Sequence, residues 1–263
     1  MIMALRRRVL DVYAGIALLY LFLPIAIVIA FSFNNPRGRF NYTWEGFTFR
    51  NWLHPFSYPG LGPALRVSIE IAVLSSLVAT ALGTLVALAL VRYTFRGSAS
   101  TNLLIFIPMA TPEIVMGASL LTLFLNWRIP QGFGTILIAH VMFNISYVVV
   151  TVRARLVGFD RHLEEASMDL GANEAVTFLR VTLPLIMPGI LAASLLAFAL
   201  SIDDFVITYF NAGTVTTFPL FVWGAARVAV PPQINVIGTA IFVVAVGGML
   251  VNVLWQNRRA RRA

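Results

Sequence analysis

The chain has 263 residues, of which 59% are hydrophobic and 11% charged, and its mean hydropathy is +0.85. Soluble domains carry about 25% charged residues, and too little polar sequence is present to coat the core a soluble fold would need, so composition points to an integral membrane protein. Cysteine and lysine are absent and all 19 basic residues are arginine, which excludes disulfides, thiol chemistry and a Walker A lysine; the net charge of +8 reads as arginines flanking membrane spans rather than as a nucleic-acid surface.

Six apolar segments are expected along the chain. Span one covers about 9–33, after Arg6, Arg7 and Arg8. It is too long for a signal peptide, and no small-residue cleavage site follows it. Residues 34–63 form a loop rich in Pro, Gly, Asn and aromatics. Span two covers 64–91 and span three 102–125, with Pro108 and Pro112 inside it. Span four covers 133–152, and a long polar segment, 153–184, separates it from span five at 186–207. In the next loop, Phe218–Val230 is expected to form a short amphipathic or re-entrant helix stopped by Pro231 and Pro232. Span six covers 235–255.

Six spans place both termini on one side, and arginine counts choose which. The termini, 92–100 and 153–184 carry 13 of the 19 arginines, against 6 on the opposite side. By the positive-inside rule both termini and the 153–184 loop are expected in the cytoplasm.

That loop has helical grammar. Asp160 can cap a helix whose apolar stripe is Leu163, Ala166 and Leu170; Gly171 is placed to stop it, and Asn173 to cap a second helix bearing Val176, Leu179 and Leu183. Pro184 and Pro188 then mark the entry to span five. Shape alone leaves three readings open: a solvated connector, a helix lying on lipid, or a helix docking into a groove on another protein. The acidic face argues against lipid, because surface helices favour Lys and Arg.

Read as a pattern, the loop runs Glu165-Ala166-Ser167, three residues, Gly171, nine residues, Val181, one residue, Leu183-Pro184. This spacing resembles the "EAA" loop of ABC-importer permeases, with Ser167 in place of the second alanine and Val181 in place of isoleucine. Met109–Leu121, Leu200–Phe210 and Phe218–Thr239 look most like the PotC-type spermidine/putrescine permeases, though related permeases for other organic solutes share much of them. The resemblance covers most of the chain. It implies an all-α integral membrane fold of six transmembrane helices, the type I ABC-importer permease fold, forming a single domain over 1–263 with a cytoplasmic coupling helix. Glu165, Ala166, Ser167, Gly171, Val181, Leu183 and Pro184 would then carry coupling to an ATPase. The implied partners are two ATP-binding subunits holding ATP and Mg, a second permease subunit (a different, homologous chain), an extracytoplasmic solute-binding protein and membrane lipid. The implied location is the bacterial inner membrane. This chain would hold no cofactor, no metal and no catalytic residue.

Charges inside spans are costly and by default mark pathways or buried pairs. Asp203 lies roughly 25 Å along span five from its cytoplasmic entry. Adjacent aspartates on a helix point about 100° apart, so Asp203 and Asp204 are not expected to share one partner. Two readings stay open for them: pairing with Arg66 or Arg227, or exposure at the outer interface, on the one hand, and attraction of an organic polycation, with cation–π help from Tyr209 or Trp223, on the other. Glu113 follows two prolines, so it either lines a cavity at a broken helix or sits at an ordinary kink. Glu70 is expected to pair with Arg66 at i,i+4. His54, His140 and His162 are too scattered for a metal site. Trp44, Trp52, Trp127, Trp223 and Trp255 fit interfacial anchoring. Alternatives to a polyamine importer are a permease for another small organic solute and a secondary transporter working without an ATPase; no constellation supports a membrane enzyme.

Overall fold

The computed structural model describes the backbone of residues 2–260 and the side chains of residues 10–248 and 250. Arg6, Arg7, Arg8, Arg258, Arg259, Arg261, Arg262 and Trp255 lie outside the described side chains. Among the described residues the fold is helical, with only two isolated bridge contacts, Asn34 with Phe47 and Phe40 with Val230. Among the described residues four helical segments are long and apolar enough to cross a membrane: Leu10–Phe31, Leu61–Arg92, Phe133–Val157 and Glu174–Ile202. A bent pair, Ser98–Ala110 with Glu113–Asn126, makes a fifth if taken as one span. This is a multi-pass membrane protein.

The helices form two compact units. One comprises the chain up to Gly62 together with the chain from Val222 onward. Within it α1 (Ile2–Phe31) packs against α12 (Pro232–Ala260), and α12 also touches the short α2 (Arg50–Leu53). The loop between α1 and α2, expected as irregular, is an ordered knot. Fully buried Asn34 donates from Nδ2 to Asn41 Oδ1 (2.6 Å) and to the Thr43 carbonyl (2.7 Å), and its Oδ1 accepts from Glu45 N (2.8 Å). Asn51 Nδ2 donates to the carbonyls of Ser32 (3.2 Å) and Asn34 (2.8 Å). Phe33 stacks on Phe47 and on Trp52, each with centroids 5.5 Å apart. Asparagine amides here supply the backbone partners that a sheet would otherwise give. Beside the knot lies a cavity of about 530 Å³, with Arg39, Arg50, His54 and Gln233 in its wall.

The second unit runs from Pro63 to Phe221. It holds most of α3 (Leu61–Arg92), then α4 (Ser98–Ala110), α5 (Glu113–Asn126), α6 (Phe133–Val157), α7 (His162–Asp169), α8 (Glu174–Thr177), a π-helical turn (Phe178–Thr182), α9 (Leu183–Ile202) and α10 (Val206–Asn211). Next comes α11 (Phe218–Val228), in the place where a short helix was expected. The core is dominated by α6 against α9 and α5 against α10. Small side chains fill the core around the first seam: Val148, Val149 and Val152 of α6, Ala193 and Ala197 of α9, and Ala79 and Ala87 of α3 are buried together. Between helices in lipid, where no hydrophobic drive separates helix from solvent, such close packing supplies the association energy.

Two expected spans are interrupted. Span three is two helices bent by 109°. Thr111, before Pro112, is extended at φ −81°, ψ 132°, because the proline ring excludes the helical conformation from the residue preceding it. Span five stops at Ile202 rather than continuing to 207, and α10 is a separate helix. The cause is local: the Asp204 carboxylate takes the free amides at the start of α10, from Thr208 N at 2.8 Å and Ile207 N at 3.4 Å. A carboxylate that hydrogen-bonds the next few amides offers the backbone an alternative to helix continuation.

Candidate functional site

Two regions of the second unit hold the residues singled out from sequence. The first is the polar loop. The N-cap of α7 is Arg161, without a side-chain cap, rather than the expected Asp160; Asp160 instead bends the chain just ahead of the helix, its Oδ1 accepting from His162 N at 3.0 Å. Gly171 ends the helix in the left-handed region at φ +91°, with its N–H bonded to the Met168 carbonyl at 2.9 Å. A non-glycine residue is strained there, because its Cβ crowds the backbone. Asn173 Oδ1 caps α8 by accepting from Val176 N at 2.9 Å. Ser167 and Thr177 hydroxyls meet at 3.2 Å across the turn, folding the two short helices together.

The stripe of α7 does not face its own protein. Leu163 is 47% and Leu170 90% exposed. Glu165, Ala166, Gly171 and Pro184 are exposed, whereas Ser167, Val181 and Leu183 are half-buried. Glu165 holds only His162, Oε2 to Nδ1 at 3.1 Å, both largely in solvent. The inward acid is its neighbour. Glu164 Oε1 accepts from Arg92 Nη2 and from Thr182 Oγ1, with side-chain exposures of 16% for Glu164 and 25% for Arg92. Arg92 lies 72 residues from Glu164, so no local spacing announces the pair.

The second region is the break between α9 and α10. His140 of α6, only 3% exposed, is its hub. Nδ1 lies 2.6 Å from Ser201 Oγ; Nε2 lies 2.9 Å from Thr208 Oγ1 and 3.2 Å from Asp204 Oδ2. Ser75 Oγ of α3 donates to Ser201 Oγ at 3.0 Å, which extends the chain of bonds to a fourth helix. Thr208 Oγ1 donates to Asp204 Oδ2 at 2.8 Å. Asp204 is therefore satisfied internally, with a side chain 5% exposed.

Asp203 and Glu113 differ from it. Both are exposed, and neither forms an ion pair among the described residues. Glu113 opens α5 and lies within electrostatic reach of both aspartates. The seam that brings α5 to α10 depends on Gly117: a Cβ there would sit 2.8 Å from Phe210 Cδ2. Tyr209, 58% exposed, packs with Phe205 at 5.6 Å and Phe210 at 5.9 Å between centroids. Trp223 belongs to the other unit, where the Arg227 guanidinium stands 4.6 Å over its ring.

The arginines expected as partners of the aspartates are engaged elsewhere. Arg66 Nε donates to Glu70 Oε1 at 2.7 Å, the i,i+4 pair expected from spacing, and Arg227 is over Trp223. Asp204's partner is instead His140, whose position inside span four was visible in the sequence but whose contacts, 61 and 68 residues away, were not. Among the described residues no group of three or more His, Asp or Glu could hold a metal ion.

Helices of membrane-spanning length that break at polar residues, as α4–α5 and α9–α10 do, are a feature of transport proteins. The chain belongs to the family of binding-protein-dependent transport system inner membrane components, whose model matches residues 79–262. It is similar to the spermidine/putrescine transport system permease protein PotC of Escherichia coli K12, 40% identical over 227 residues covering 86% of this chain and 85% of the relative. The PotC protein of Haemophilus influenzae is 37% identical, covering 89% and 91%. The putrescine transport system permease protein PotI of Escherichia coli K12 is 38% identical, covering 84% and 81%. The fold is shared with a bacterial ABC transporter involved in import of the acidic polysaccharide alginate, at TM-score 0.70 and 16% identity over 95% of this chain and 96% of that one.

Proposed function

We propose that the chain is one permease subunit of an ATP-driven importer for polyamines, spermidine or putrescine, and that both compact units together form one transmembrane domain over 1–263. The four long helices, the bent α4–α5 pair and α12 make six spans in this reading. Both termini and the 153–184 loop lie in the cytoplasm, a placement that the arginine asymmetry supports. A homologous second permease completes the pathway. Two ATPase subunits, which hold ATP and Mg, receive the α7 loops of the two permeases, and an external binding protein delivers solute.

The observation that carries this reading is the outward face of α7, with Leu163 and Leu170 uncovered beside Glu165. A short amphipathic helix held rigidly with its apolar edge in solvent suits a groove on a partner. The polyamine class rests on the named relatives, and the exposed carboxylates Asp203 and Glu113 give a cation two places to lodge in passing. The cavity beside Arg39, Arg50 and His54 would face outward and offer positive charge to the binding protein.

The test is uptake of labelled spermidine and putrescine into proteoliposomes holding this chain with the proteins that co-purify with it. Uptake is expected to require internal ATP and the binding protein. Accumulation driven by an ion gradient with no ATPase present would replace this reading with a secondary transporter, and ATP-driven uptake of a different solute would overturn the polyamine assignment alone.

A further inference from the structure

We propose that Arg92, Glu164 and Thr182 form a strut that fixes α7 to the cytoplasmic ends of α3 and α9, so that displacement of the loop moves both spans together; these are positioning residues for coupling, distinct from the groups that touch a partner. The inference rests on the reading that α7 docks on an ATPase.

The geometry is specific. Arg92 is the last residue of α3, Glu164 the third residue of α7, and Thr182 the last residue of the π-helical turn that runs directly into α9. One carboxylate oxygen, Glu164 Oε1, accepts from both Arg92 Nη2 and Thr182 Oγ1. Arg92 Nη2 also lies 3.4 Å from Thr182 Oγ1, closing the triangle. A second tether runs parallel to it: Arg161 Nη2, just before α7, donates to the Val91 carbonyl at 3.0 Å.

Burial gives the strut strength. Thr182 is fully buried, and the charged pair is mostly shielded from water. Exposed ion pairs contribute little because water and salt screen them, whereas removal of one member of a shielded pair leaves the other charge without a partner. The contrast with Glu165 is instructive. Successive residues of a helix point about 100° apart, so Glu164 turns inward to the strut and Glu165 outward to solvent. The element on which the strut pulls is itself unusual: single π turns inside helices have weakened ladders and recur at functional sites. A loop with no such strut could shift on its short connections without carrying α3 or α9.

The experiment compares Arg92→Glu, Glu164→Arg and the double exchange, with Arg92→Lys as the conservative variant, in proteoliposomes containing the assembled transporter. ATP hydrolysis and solute uptake are measured on the same vesicles, and ATPase binding is measured by pull-down. Each single reversal is expected to lower uptake per ATP hydrolysed by about tenfold while ATPase binding persists. The double exchange is expected to restore most of it, and Arg92→Lys to retain most of it. Where a reversal prevents assembly, Glu164→Gln and Thr182→Val carry the same comparison with smaller losses. Unchanged uptake per ATP in the assembled single variants overturns the strut, as does a double exchange no better than its parents. If the unaltered chain fails to bind an ATPase subunit, the docking reading itself fails, an outcome separate from either of these.

Discussion

At the residue scale, the two adjacent aspartates have been given different work by their surroundings. Asp204 is wrapped by donors from α10 and by His140, so its charge is spent inside the protein. Asp203 keeps its carboxylate exposed. The two therefore respond differently to the same neutralisation. Asp204→Asn is expected to destabilise the protein by about 2 kcal/mol, the scale for leaving buried hydrogen-bonding groups without their partner, and to lower the melting temperature in detergent. Asp203→Asn should leave melting unchanged and reduce polyamine uptake. Equal loss of stability in the two variants would contradict this division. The acids and His140 were legible as costly groups within apolar sequence. Their assignment was not, because it depends on Ser201 and Thr208 meeting an imidazole from another helix.

At the scale of elements, the loop shows how far local chemistry reaches. Gly171 stops α7 and Asn173 caps α8 as their chemistry dictates, so two short helices and the turn between them could be placed from sequence, although α7 is capped by Arg161 rather than Asp160. Which side of α7 faces the protein could not be placed, since the Leu163–Leu170 stripe would ordinarily be packed inward. Leu170 touches so little of its own chain that Leu170→Asp should change stability by less than about 0.5 kcal/mol. The same variant is expected to weaken ATPase capture in pull-down; capture at full strength would remove this edge from the docking surface. Gly171→Ala acts through the fold instead. Holding alanine at φ +91° costs about 1 kcal/mol, so α7 should fray, seen as faster amide exchange over 164–170, and stimulated ATP hydrolysis should fall with it. The prolines of span three likewise announced a break, but its angle of 109° follows from how α5 seats on α10 through Gly117.

At the scale of the whole molecule, the membrane class and the spacing of its apolar segments follow from composition, because hydrocarbon thickness sets segment length independently of packing. The loop between α1 and α2 shows what composition hides. Its asparagines look like turn formers in sequence, yet Asn34, Asn41 and Asn51 are buried: Asn34 Nδ2 donates to Asn41 Oδ1, Asn41 Nδ2 to the Phe31 carbonyl and Asn51 Nδ2 to the Asn34 carbonyl. That hydrogen-bonded knot holds Arg39 and Arg50 in the wall of one cavity, and Glu45, the single acid in 34–63, is already bonded to the Arg37 amide. The cavity wall is thus left with a positive surplus on the face proposed above to be external. A binding protein that presents carboxylates there would be steered by this charge, an effect that falls off over a screening length of about 10 Å at 0.1 M salt. Arg39→Glu with Arg50→Glu is expected to slow binding-protein association about tenfold at low salt and far less at high salt, measured by surface plasmon resonance on the reconstituted transporter. Basal ATP hydrolysis, proposed to be controlled from the α7 loop instead, should be unaffected. Association that is unchanged at low salt would leave the cavity without a part in docking, whereas a loss equal at all salt concentrations would mean that the substitutions had disturbed the knot rather than removed a field.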